Sequence, residues 1–75
     1  MNILENELTV AEQQITLAGI ELAEAQKTLR TTNVHNKVAM FEARNAVDFA
    51  SGKLGMAYDR LIEIRKALIA VQAGA

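Results

Sequence analysis

The chain has no cysteine, no proline and no tryptophan, and a single histidine among its 75 residues. Without cysteine it can form neither disulfides nor thiolate metal sites. Two phenylalanines and one tyrosine are its only aromatics, which leaves little to stack against nucleic-acid bases. No apolar run approaches the roughly 18 residues needed to cross a bilayer, so no membrane-spanning helix is expected. The start, Met1-Asn2-Ile3-Leu4-Glu5-Asn6-Glu7, lacks the basic segment and apolar stretch of a secretory leader. A cytoplasmic protein is the expectation. At this length the chain is one domain, residues 1–75, with a core too small to be stable alone by a wide margin.

Charge of one sign is also missing. The net charge is −1, divided unevenly: five acids and two bases up to residue 30, then four acids and six bases. Two halves of opposite sign suit each other better than they suit a nucleic acid.

What is present is helix-forming and periodic. Apolar residues make up 51% of the chain, drawn mainly from alanine and leucine, which favour helix. No segment alternates as a half-buried strand would. Leu4, Leu8, Ala11, Ile15, Ala18, Leu22, Ala25 and Leu29 follow a 4,3 spacing. Met40, Ala43, Val47, Ala50, Leu54, Ala57, Leu61, Ile64, Leu68 and Val71 follow a 3,4 spacing. Both are heptad seams with large residues at position a and mostly alanine at position d. The prediction is all-α: an antiparallel two-helix hairpin, with helices over about 3–30 and 37–72 and a turn over about 31–36. The polar run Arg30-Thr31-Thr32-Asn33-Val34-His35-Asn36-Lys37 supplies the turn. Asn33 or Asn36 is placed to cap the second helix, Asn2 with Glu5 to cap the first, and Gly74 to mark the far end. Lys27 and Arg30 suit the C-terminal end of the first helix dipole.

Facing alanines set the expected register. Ala25 with Ala43, Ala18 with Ala50 and Ala11 with Ala57 each have residue numbers summing to 68, which centres the turn on Val34. The same register brings Glu5 towards Arg65 and Glu7 towards Arg60. Facing alanines allow an axis separation of about 8 Å. The seam can also be read through the turn as Leu29, Asn33, Asn36, Met40, a four-residue stutter. That alternative is one long helix meeting a second copy antiparallel. No glycine or proline in the segment forces the reversal.

Once the seam is filled, apolar residues are left over. Ile3, Val10 and Leu17 recur every seventh residue on the first helix, with Ile20 beside them. Phe41, Phe49, Met56, Ile62 and Ile69 lie outside the seam on the second, with Val38 near the turn. Such a stripe marks an interface, so the hairpin is expected to dimerise or to dock into a larger helical bundle. Its candidate contact residues are Ile3, Val10, Leu17, Phe41, Phe49, Met56 and Ile62. Gly52 and Gly55 lie near this stripe and fit either a close helix contact or a tolerated kink.

Chemistry finds no foothold. His35 falls in the turn, and no Glu-x-x-His pair of the di-iron bundle type occurs. Ser51-Gly52-Lys53 resembles a fragment of a phosphate loop, but Val47 stands where the leading glycine is required and no strand precedes it. No catalytic residue, metal or cofactor is expected. The expected function is non-enzymatic: protein–protein association as an assembly subunit, adaptor or small inhibitor, with a second copy or another protein as partner. Compact, cysteine-free, helix-only chains of this size are common among phage and plasmid accessory proteins, which makes a viral accessory role an expectation too. The alternative is an RNA-binding dimer whose architecture is similar to that of the Rop-type plasmid regulators. That comparison rests on architecture and on no shared motif. Arg44, Lys53, Arg60, Arg65 and Lys66 scatter around the second helix rather than forming a stripe, and the polar faces are not basic enough for a membrane-surface helix.

Overall fold

The computed structural model describes residues 3–74. They form two helices, α1 (Ile3–Thr31) and α2 (Lys37–Gly74), joined by a five-residue turn. At 1.5 Å per residue the helices run about 43 Å and about 57 Å, and they lie side by side in a rod 61 × 16 × 13 Å. The chain is therefore an all-α helical hairpin. It reverses at residues 32–36 and does not continue as one long helix. Each helix exceeds its expected span slightly: α1 by one residue, and α2 by two, with Gly74 as its last helical residue. The expected cap Asn2 lies outside the described residues.

Side-chain bonds define the turn. Asn36 is the N-cap of α2: its Oδ1 accepts from the Ala39 backbone N–H at 3.1 Å, and its carbonyl accepts from Met40 N–H at 2.9 Å. This satisfies a donor that the first turn of a helix otherwise leaves open. Asn33 does a different job. Its Oδ1 accepts from His35 N–H at 2.9 Å, and its carbonyl from Asn36 N–H at 3.0 Å, which is the local loop chemistry of asparagine. α1 ends without a left-handed residue, since no described residue has positive φ. Threonine hydroxyls take up its last carbonyls instead: Thr32 bonds the Thr28 carbonyl at 2.6 Å, and Thr31 those of Lys27 and Thr28.

The seam is where the heptads put it. Of its eighteen positions, seventeen are buried or half-buried, and Val71 is the exception at 55% exposed. Val71 sits at the open end of the hairpin, level with the first described residues of α1. The seam's most buried part is the cluster of Ala11, Leu61 and Ile64, flanked by Leu8, Ile15 and Leu68.

The register differs from expectation. Lys53 Nζ contacts a Glu21 carboxylate oxygen at 2.9 Å, so those residue numbers sum to 74. Ala11 clusters with Leu61 and Ile64, at sums of 72 and 75. Ala18 lines a groove with Ala57 rather than pairing with Ala50. The contacts thus centre near 74, not 68, a slide of about 9 Å along the helix. Neither Glu5–Arg65 nor Glu7–Arg60 forms; among the described residues the ion pair is Glu21–Lys53. The reason lies in the turn. Val34 of the turn lines a hollow with Lys37, Met40, Phe41 and Arg44, so the turn lies beside the first turns of α2 and the pairing midpoint falls near Lys37 instead of Val34.

The core is thin. Among the described residues its buried members are five alanines with Leu61 and Ile64, and no large side chain is fully buried. Thirteen large apolar side chains of the described residues are exposed. Full burial of a large aliphatic contributes roughly 1.5–3 kcal/mol, and most of the large seam side chains, being half-buried, contribute only part of that.

Candidate functional site

In an antiparallel pair, equal heptad positions of the two helices flank the same side of the seam. Leu17 of α1 and Met56 of α2 occupy one such position, and they stand on opposite walls of a shallow groove. Ala18 and Ala57 line its floor, Gln14 and Arg60 close one end, and Glu21 and Lys53 bridge the other. Small residues on the floor let the helices come close, which keeps the groove shallow and puts its apolar walls near the surface. Leu17 is 61% and Met56 73% exposed.

The same heptad position extends this pair in both directions. Towards the open end of α1 it carries Val10, 47% exposed, and Ile3. Towards the turn on α2 it carries Phe49, 70% exposed, over whose ring Lys53 Nζ sits at 5.4 Å from the centroid. Ile3, Val10, Leu17, Met56 and Phe49 therefore share one face. Their line follows α1 for about 21 Å, crosses the groove at Leu17 and Met56, and continues along α2 for about 10 Å. Lys53 locks the crossing: its ammonium pairs with Glu21 and lies over Phe49, so one side chain ties both helices to the aromatic of the stripe. The pair is half-exposed at both ends and is worth at most about 1 kcal/mol.

Phe41 and Ile62 do not join this face. Phe41 lines a separate hollow at the turn end with Val34, Lys37, Met40 and Arg44. Ile62, six residues beyond Met56, is turned about 120° around α2, and shares its flank with Tyr58 and Ile69, all three exposed. The single stripe expected from the sequence is thus two surfaces on opposite sides of the hairpin. The five-residue face is continuous across both helices. The other lies on α2 alone, because α1 presents Thr9, Thr16 and Ala23 there. Tyr58 belongs to that second surface and was not among the expected contact residues; its place four residues before Ile62 is the signal that marks it.

The remaining candidates are solvent-facing. His35 sits exposed in the turn. No polar or charged residue is buried among those described, and no group of three His, Asp or Glu is placed to hold a metal. Gly52 and Gly55 lie inside an unbroken α2, and a Cβ added at either would meet nothing within 4 Å. No helix is long and apolar enough to cross a membrane. Compared with known proteins, the chain matches no family, no curated protein and no solved structure.

Proposed function

We propose that this hairpin is a non-enzymatic assembly or adaptor module that docks its Ile3–Val10–Leu17–Met56–Phe49 face against a helical surface, either of a second copy or of another protein. The observation that carries this reading is the continuity of the face. Five large apolar side chains form one line across both helices, and among the described residues two large side chains, Leu61 and Ile64, are well buried. An interface core of aromatic and methionine anchors rimmed by charged groups has this make-up, and Phe49 and Met56 flank Lys53 and Arg60 in that way. The exposed stripe also accounts for the thin seam, since docking would bury what the hairpin leaves in water. Small inhibitors and accessory proteins of phages and plasmids work through such faces, and that is the setting this reading favours.

Leu17→Asp and Met56→Asp test it. Both side chains point away from the seam, so each variant should keep the helical circular-dichroism signal of the parent. In sedimentation or pull-down measurements each should lose the assembled species, a drop of at least about tenfold in association for one anchor. Variants that assemble as the parent does would refute the reading. Ile62→Asp, on the other side, should leave this assembly intact.

A further inference from the structure

The turn lacks the two backbone devices that most often force a chain to reverse, glycine or proline and a left-handed residue. Residues 32–36 contain neither glycine nor proline, and no described residue has positive φ. Its bonds are local: Asn33 Oδ1 accepts from His35 N–H, Asn36 Oδ1 from Ala39 N–H and the Asn33 carbonyl from Asn36 N–H, while the Thr31 and Thr32 hydroxyls donate to the last carbonyls of α1. A helix running straight through would replace them with ordinary backbone bonds, without carrying any φ across zero. The seam frame also reads through the turn as Leu29, Asn33, Asn36 and Met40, with two asparagines at seam positions and a four-residue stutter. Finally, contacts whose residue numbers sum near 74 place the pairing midpoint near Lys37. Two continuous helices crossing antiparallel at that point would remake every α1–α2 contact, each between chains instead of within one.

We infer that the turn is a hinge, and that the chain has a second form: a domain-swapped antiparallel dimer of two continuous helices. In that form the seam of α1 is filled by α2 of a second copy. The result is a rod about 108 Å long that carries the docking face twice, related by a two-fold axis. Opening the hinge changes the number of faces per particle, one to two, and leaves each face as it was. A bivalent rod binds an array of targets more tightly than a single hairpin with no new contact. The hinge uses none of the docking residues, so this inference stands apart from the docking reading.

Labels at Gln13→Cys and Asp59→Cys, on the outer ridges of the two helices and roughly level with each other, report the form directly. In the hairpin they exchange energy within one chain. In the swapped dimer the same two labels are about 69 Å apart along one helix. Doubly labelled protein is unfolded with an excess of unlabelled protein and refolded together at high concentration. The expected result is a dimer that has lost energy transfer, beside a monomer that keeps it. The double variant Asn33→Ala/Asn36→Ala, which removes both side-chain bonds and favours helix, should raise the dimer fraction about tenfold without lowering helicity. A dimer that keeps its transfer is two hairpins docked face to face, and overturns the inference. So does a native chain that refolds only as monomer at high concentration, whatever the variant does.

Discussion

Alanine is the residue on which this structure turns. Ala11 is fully enclosed between Leu61 and Ile64, and Ala18, Ala43, Ala50 and Ala57 are buried along the same line. Each contributes little apolar area, but each allows the opposite helix to come near enough for its neighbours to pack. Enlarging one should therefore do harm although it adds hydrophobic surface. Ala11→Leu is expected to cost about 1–3 kcal/mol through overpacking, a fall of several degrees or more in melting temperature for a chain of this size. The same change at the exposed Ala23 should stay within about 0.5 kcal/mol. Thermal melts followed by circular dichroism separate the two. Equal effects at the two sites would mean that the alanines are not spacers.

Both helices were legible in the sequence nearly to the residue, because a heptad pattern sustained over about seven to nine turns has one physical solution. Asn36 as the cap of α2 was legible too, as one of two candidates, since an asparagine before a helix has a short list of jobs. The register was not. Facing alanines repeat every seven residues, so they fit equally well at sums of 68 and 75, and the choice rested on where a polar turn should be centred. A turn that lies beside the first turns of α2 breaks that rule, and composition does not reveal that placement. The division of the apolar residues into two faces was available and missed: Leu17 and Met56 share a heptad position, while Phe41 and Ile62 share another. The glycines of α2 test the element in a different way. Gly52 and Gly55 stand in open space within the helix, so Gly52→Ala and Gly55→Ala should each stabilise the hairpin by about 0.5–1 kcal/mol. Denaturant titration measures this. A destabilised variant would show that something approaches the backbone there in the assembled protein.

For the molecule as a whole, the decisive quantity is the ratio of what is buried to what is left out. Two large side chains are well buried and thirteen are exposed among the described residues. A domain with that ratio gains stability from whatever covers it. If the partner is a second copy, the melting temperature must rise with protein concentration; if it is another protein, the rise appears only when that protein is added. The opposite charges of the two halves bear less weight at this scale than their totals suggest, because among the described residues one ion pair joins the helices and it is half in water.

A seam one layer deep has no interior in the usual sense. With no large side chain fully enclosed among the described residues, their amides lie about one side chain from solvent, and the two helices can part progressively, as a zipper does, without first breaking a central knot. Hydrogen exchange should then show a gradient instead of a plateau. The slowest amides are expected around Ala11, Leu61 and Ile64, where the packing is tightest, with faster exchange towards Val71 and the turn. Uniform slow exchange along both helices would mean that the chain in solution is already held inside something larger.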